Sequence, residues 1–426
     1  MSNFSLINLF YKKGLFKNLH NAGLYFLGSI IQSILALFTQ PIYSLHLTAN
    51  EFGIIGYFDA IKSLFAPIFI FSISSVYLMK YFKQSEDENK KLLFNLTFYL
   101  CCFNTIVIFI CYGILYLYFR YMNVNIPLTP FAWFILVALL LDNIKSIVLI
   151  NFRIRKKALN FLLYSALNSV LNVGIGLLLV VQFNLGAEGR MAAPILSIII
   201  LLPVSIVVLK KYTTIYFNFK EFINATKTAL PLVLAAYAFV PISNIDRLFL
   251  ERLQNLSELG LYNIGITIAG YIQLAYVALA LAYEPDIFKS VSELNYKRLF
   301  YVAVIMFLPY FLFVIIFMNF SGDIISILTS GRYVAAQQYT NVALISVFLM
   351  GIYWFFDKIF IALEKTRLNL YVNIIGGLSA IIIMYIAVKS YEYIGAAYAK
   401  IFIAVIMVSI SSILAIKQLK LKKTIN

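Results

Sequence analysis

Charge is scarce in this chain, and acid is scarcer than base. Charged residues make up 12% of the 426 positions and hydrophobic residues 62%, whereas a soluble domain carries about 25% charge. That balance excludes a soluble enzyme or soluble binding domain. Histidine occurs twice, as His20 and His46, and cysteine three times, as Cys101, Cys102 and Cys111. The three cysteines share one predicted helix, with no metal-ligand spacing and no partner elsewhere. They exclude a disulfide framework and read as small buried or lipid-facing hydrophobes; no metal site is expected. There is no stretch between apolar segments long enough to hold a folded soluble domain. No outer loop is long, and no acid/base or nucleophile constellation appears, so an enzyme is not expected. A cleavable signal peptide is not expected either, because the first apolar helix is long and lacks a small-residue cleavage site.

What the chain does have is apolar length. A membrane-spanning helix needs about 20 mostly apolar residues. Twelve such spans are predicted, at 19–45, 53–79, 92–119, 128–150, 158–182, 189–209, 222–249, 258–283, 296–318, 337–362, 367–388 and 394–417. Base outnumbers acid, 34 Lys and Arg against 18 Asp and Glu, for a net charge of +16. With Met1 placed in the cytoplasm, the outer loops hold six of the cations: Arg120, Arg190, Arg247, Arg252, Arg332 and Lys389. Four more, Lys62, Lys145, Lys358 and Lys400, fall inside apolar spans, and the other 24 fall in inner loops and tails. Cations are retained on the cytoplasmic side during insertion. The split therefore predicts both termini inside and accounts for the net charge without nucleic acid; attraction to membrane lipid headgroups is a secondary effect. Residues 1–18 mix Phe4, Ile7, Phe10 and Leu15 with Lys12, Lys13 and Lys17, the pattern of a cytoplasmic interfacial helix.

The two halves read as repeats. Glu51-Phe52-Gly53-Ile54 returns as Glu258-Leu259-Gly260-Leu261, 207 residues later. Lys156 to Asn160 returns as Lys365 to Asn369, and Gly186-Ala187 as Gly395-Ala396, both after 209 residues. Six spans per half make the repeat parallel, its axis along the membrane normal. The expected fold is an all-α integral membrane protein with about twelve transmembrane helices. They form two six-helix bundles around a central cavity, at 19–215 and 216–426, the second ending in a basic cytoplasmic tail.

Ionisable side chains at mid-span cost about 2.5–3.5 kcal/mol on insertion scales and usually face a cavity or each other. Asp59 and Lys62, and Asp142 and Lys145, have i,i+3 spacing and share a helix face. Asp357 and Lys358 are adjacent and point about 100° apart. Lys400 has no carboxylate near it in sequence, and Asp246-Arg247 lies near the outer end of the seventh span. Two roles stay open for each group. The paired residues either neutralise one another as packing elements or line an aqueous cavity. Lys358, Lys400 and Arg247 either reach an interface by snorkelling or add positive potential to that cavity, which suits an anionic cargo. Lysine suits a site that must hold a phosphate and release it, being a strongly hydrated point charge. Most of the 38 Phe and 30 Tyr suit lipid-facing or interfacial positions; Tyr237, Tyr262, Tyr271 and Tyr276 are candidates for contact with sugar.

Four segments carry a family likeness. The stretch Pro41 to Gly56 resembles the first-helix exit of Wzx-type O-antigen flippases and related polysaccharide exporters. Asn184 to Arg190 is similar to their loop before the sixth helix. Asp246-Arg247-Leu248-Phe249-Leu250 with Glu258 to Tyr262 is similar to their seventh and eighth helices, and Tyr391 to Ala397 to the entry of their last helix. The resemblance covers nearly the whole chain in order. It implies a transporter of the multidrug/oligosaccharidyl-lipid/polysaccharide exporter superfamily in the bacterial inner membrane. The implied cargo is an undecaprenyl-diphosphate-linked oligosaccharide, moved to the periplasmic leaflet by alternating access, and the implied partners are polymerase and chain-length proteins of the same pathway. No cofactor is implied, and coupling to a proton or sodium gradient is left open. In this scheme Lys62, Lys145, Lys358, Lys400 and Arg247 grip the diphosphate, and Asp59, Asp142, Asp246 and Asp357 are charge partners or ion-coupling groups. The alternatives are a drug/cation antiporter of the same superfamily, which favours cavity carboxylates over lysines, and a multi-spanning polymerase.

Overall fold

Five of the described helix starts are written as Ser, Thr or Asn followed three residues later by an acid or a base. Thr48 caps one helix: its backbone N–H donates to Glu51 Oε2 at 2.7 Å, and its Oγ1 accepts from the Glu51 N–H at 3.3 Å. Ser85 and Glu88 make the same reciprocal pair. Asn218, Asn255 and Asn295 accept from the N–H groups of Glu221, Glu258 and Arg298 at 3.0, 3.1 and 2.9 Å. Each cap satisfies backbone donors that the first helical turn leaves unpaired.

The computed structural model describes residues 3–71, 73–365 and 367–425, with side chains from 23 to 421 within those ranges. It contains α1 (Asn3–His46), α2 (Ala49–Ile70), α3 (Ile73–Tyr81), α4 (Glu86–Met122), α5 (Phe131–Ile154), α6 (Ala158–Leu177) and α7 (Gly186–Tyr212). The second half holds α8 (Phe219–Leu250), α9 (Leu256–Gly270), α10 (Gln273–Ser292), α11 (Tyr296–Asn319), α12 (Ser321–Leu328), α13 (Gln337–Ala362) and α14 (Arg367–Ile425). Among the described residues eleven helical stretches are long and apolar enough to cross a membrane; the last, Arg367–Leu421, breaks at Glu392 (φ 52°, ψ −134°) into two arms, giving the twelve spans. The fold is all-helical among the described residues, as the sequence predicts.

Three features differ in detail from the predicted spans. The second is broken at Phe71, which has a positive φ of 45°. Helix α1 runs back to Asn3, so the backbone of 3–18 continues the first span; the side chains on which its interfacial placement rests lie outside those described. The short α12 was not legible, because eight residues between Phe320 and Thr329 give too little periodicity to register.

The repeat is visible in the backbone. Positive-φ residues recur as Asn123 and Ser330, Lys156 and Glu364, and Asn184 and Glu392, at offsets of 207 or 208. The caps Thr48 and Asn255 are also 207 apart. The starts of α2 and α9 pack reciprocally. A Cβ on Gly53 would lie 2.5 Å from the Leu256 carbonyl oxygen, and one on Gly260 1.8 Å from the Ala49 carbonyl oxygen. Position 53 meets 256 as 260 meets 49, the self-complementary contact of a local two-fold. Only glycine lets the two backbones approach so closely.

By internal contacts the chain forms two compact units. The first comprises Met1–Thr39, Ile68–Tyr118 and Leu128–Leu230; the second comprises Gln40–Pro67, Phe119–Pro127 and Pro231–Asn426. Pro41, Pro67, Pro127 and Pro231 sit at or within two residues of four of the five junctions, and Pro41, Pro67 and Pro231 lie inside helices. A helical proline removes one backbone bond and is a common cause of a bend. The first unit is centred on Ile73, Tyr77, Leu92, Leu96, Ile147, Tyr212 and Ala225. Arg155 ties three of its helices together: it meets Glu86 at 2.6 Å, Asn151 at 2.9 Å and the Tyr212 ring at 4.3 Å. In the second unit Tyr276 packs against Phe307, Tyr310 and Trp354. Outward faces are apolar, as lipid contact requires. On α4, Ile106, Phe109, Ile110 and Ile114, at helical spacing, are each more than half exposed.

Candidate functional site: a buried ion-pair cluster beside a cavity

Two helices of the second unit place charge where apolar spans would be expected to exclude it, and a third supplies polar partners. Helix α8 supplies Asp246 and Arg247, the second arm of α14 supplies Lys400, and α9 supplies Tyr262 and Asn263. The Asp246 side chain is completely buried and that of Lys400 nearly so; Lys400 Nζ lies 2.8 Å from Asp246 Oδ2. Tyr262 donates to the same oxygen at 2.6 Å, and Lys400 donates also to the Ser243 carbonyl at 3.0 Å. Arg247 is buried, with its guanidinium 3.8 Å from Asp246 Oδ1. It donates through Nε to Asn263 at 3.0 Å and through Nη1 to Asn244 at 2.9 Å. Asn263 in turn donates to the Phe52 carbonyl on α2 at 3.1 Å.

Two cations share one carboxylate, so the cluster carries net positive charge. Removing two ions from water costs several kcal/mol each, and their attraction offsets this only with good geometry and further hydrogen bonds. Tyr262, Ser243, Asn244 and Asn263 supply those bonds. Lys400 and Ser243 also border a cavity of about 280 Å³, whose other walls include Gln273, Ser346, Met350 and Trp354. Lys400 is eight residues beyond the Glu392 break and Ser243 seven before the end of α8. At about 1.5 Å per residue these two residues stand roughly 10–12 Å from those helix ends, within apolar spans.

Other predicted charges fall elsewhere. Asp142 and Lys145 pair on α5 at 2.5 Å, each about a quarter exposed, in the first unit. Lys358 on α13 pairs with Glu284 of α10 at 2.6 Å and not with its neighbour Asp357. Asp59 is exposed and Lys62 half-buried on α2. Several alternatives fall away. Lys400 does not extend outward, because Asp246 holds it inside; Arg247, near the end of α8, is enclosed by two asparagines and Asp246. Lys358 is held by a carboxylate rather than extended to an interface. Tyr262 and Tyr276 are buried packing residues (0% and 4% exposed) and do not present faces to sugar.

Sequence reasoning missed Glu284 as the partner of Lys358, and Tyr262 and Asn263 as the groups that satisfy the cluster. The pairs are 74 and 16 residues apart, beyond any local pattern. The repeat offset gives one further clue: Asp246 and Arg247 correspond to Thr39 and Gln40, which are buried (8% exposed each) but uncharged. Among the described residues the cluster occurs in one repeat only.

Residues 231–386 match the MatE family, about a third of the chain. No curated protein matches. Among solved structures, an inward-facing multidrug resistance MATE family transporter of the MOP superfamily is 14% identical. The likeness covers 91% of this chain and 96% of that one, with a TM-score of 0.70. The lipid II flippase MurJ in an inward closed conformation is 16% identical over 93% of this chain and 89% of that one, at 0.73. A mutant form of the Vibrio cholerae MATE transporter VcmN is 14% identical over 95% and 96%, at 0.56. At these identities the likeness is one of fold: the chain has the all-helical MATE-like architecture over nearly its whole length.

Proposed function

We propose that this protein is a membrane transporter that flips a lipid-linked oligosaccharide diphosphate across the bacterial inner membrane by alternating access, both termini being cytoplasmic. The observation that carries it is the excess of positive charge in the buried cluster, where Lys400 and Arg247 outnumber Asp246 beside a cavity within the apolar spans. A polyprenyl tail stays in the bilayer at no cost, whereas a diphosphate and its sugars cross hydrocarbon only at a large desolvation cost. Intramembrane cations offset that cost. The fold it shares with MurJ and the sequence likeness to polysaccharide flippases support the same assignment. In the full scheme Lys62, Lys145 and Lys358 assist in gripping the diphosphate, and Asp59, Asp142 and Asp357 are charge partners or ion-coupling groups, with Glu284 the observed partner of Lys358.

A second function has its own support. The MatE match over 231–386 and the MATE-like fold favour a drug/cation antiporter of the same superfamily. One pair of assays separates the two. Deletion of the gene, complemented by wild type or by Lys145→Gln and Lys400→Gln at matched membrane levels, is scored for surface polysaccharide and for drug susceptibility. A flippase loses long polysaccharide on deletion and in Lys400→Gln, with susceptibility unchanged. An unaltered polysaccharide profile in the deletion strain overturns the flippase assignment, and raised susceptibility in that strain establishes the antiporter.

A further inference from the structure

The outer ends of the helices in the second unit are tied by contacts that occur twice, once per repeat. The turn after α12 reaches α1: Arg332 donates to the carbonyls of Ser44, at 2.9 Å, and Leu45. Tyr333 donates to the Leu47 carbonyl, and Ser330 Oγ to the Pro41 carbonyl at 3.3 Å. The turn after α4 reaches the end of α8. There Arg252 donates to the Met122 carbonyl at 2.8 Å, and the Asn125 backbone N–H donates to the Glu251 carboxylate. The 207-residue offset carries Arg332 back onto Asn125 and Ser44 forward onto Glu251, so one contact maps onto the other. The reciprocal contact of Gly53 and Gly260 lies next to both. A two-fold brace therefore crosses these helix ends, and the bonds to Ser44, Leu45, Leu47 and Met122 use carbonyls at helix ends or turns, where helical partners run out.

The halves of the brace are unequal. On the Arg332 side one guanidinium takes two carbonyls at the end of α1, where the helix dipole favours a cation, and two hydroxyls add further bonds. The Arg252 side has one carbonyl and one backbone donor. We propose that this brace is the latch on the outer exit and that Arg332 is its principal bolt, so that opening to the outside requires the Arg332 and Tyr333 bonds to part. The proposal rests on the transporter function above but not on the identity of the cargo.

The test needs no cargo. In the full chain with Cys101, Cys102 and Cys111 replaced by alanine, Ala343→Cys puts a thiol on the cavity wall, where Ala343 is 1% exposed. Its labelling by a membrane-impermeant maleimide added outside intact cells is compared with that of Lys389→Cys, an exposed control. Adding Arg332→Ala is expected to speed outside labelling of Ala343→Cys by about tenfold, the scale set by losing a charge-assisted bond. Arg252→Ala should raise it less. Tyr333→Phe, which removes one hydroxyl and keeps the ring, should also raise it and serves if Arg332→Ala fails to accumulate. Equal labelling in the parent and in each variant that accumulates overturns the latch; a larger effect from Arg252→Ala than from Arg332→Ala overturns the assignment of the bolt. A faster-labelling variant in a strain whose polysaccharide never depended on the gene upholds the latch while removing the cargo.

Discussion

Asp246 is the residue on which most of the local electrostatics turns. It faces Lys400 and Arg247 with its side chain out of solvent, so its removal leaves two buried cations without a counter-charge. Breaking one side of a buried pair costs about 3–5 kcal/mol, whereas replacing both partners by apolar groups of similar volume is often close to neutral. Asp246→Asn should therefore lower the thermal unfolding temperature of the purified protein sharply, and Asp246→Asn with Lys400→Met should recover part of the loss, Arg247 still lacking its counter-charge. If the double variant melts no higher than the single, the pair is not the stabilising unit. Lys400→Met alone should cost less than Asp246→Asn, because Arg247 and Tyr262 remain to satisfy the carboxylate. Nothing in the local sequence announces Lys400 as a partner of Asp246. Each is legible alone as a charge in an apolar span, but their pairing is a property of the packing of α8 against α14.

Among the elements, the α2–α9 crossing depends most directly on residue identity. Gly260→Ala places a methyl carbon against the Ala49 carbonyl, and Gly53→Ala places one against the Leu256 carbonyl; both obstacles are backbone, which cannot rotate away. Both substitutions should reduce the amount of folded protein recovered from membranes, Gly260→Ala more severely, as read by fluorescence-detected gel filtration of a fusion. Gly56→Ala meets instead the movable side-chain amide of Asn263. It should leave the yield closer to wild type while disturbing the Asn263 bonds to Arg247 and Phe52. The caps are gentler: Thr48→Ala should cost about 1 kcal/mol. These elements were largely readable beforehand. The T-x-x-E and N-x-x-E starts, the apolar lengths and the spacing of Glu51-Phe52-Gly53 against Glu258-Leu259-Gly260 all stand in the sequence. The reason for the two glycines does not, because it lies in a contact between residues about 200 positions apart.

For the whole molecule, composition and periodicity sufficed for the membrane-spanning, all-helical class and for the position of most long helices to within several residues, the start of α1 at Asn3 and the end of α10 at Ser292 being the exceptions. They sufficed because each span must satisfy its own backbone in lipid, which makes the fold a local property to an unusual degree. The predicted site was less legible. Of the nine charges singled out, Asp246, Arg247 and Lys400 form one cluster, while Asp142 with Lys145 and Lys358 with Glu284 form separate pairs. Side-chain partners on different helices leave no periodic trace. The cation count predicts orientation as well. Single cysteines at Thr214 and Gln254, scanned with impermeant reagent from each side, should label from the cytoplasm and from the outside respectively; the reverse pattern inverts the topology. One further consequence follows from the correspondence of Thr39 and Gln40 with Asp246 and Arg247. A duplicated scaffold needs to insert its costly ionic cargo only once, so its twin is free to drift toward neutral packing. A chimera built from two first halves would then fold as a shell without a working centre, whereas one built from two second halves would hold two centres and a heavier insertion burden.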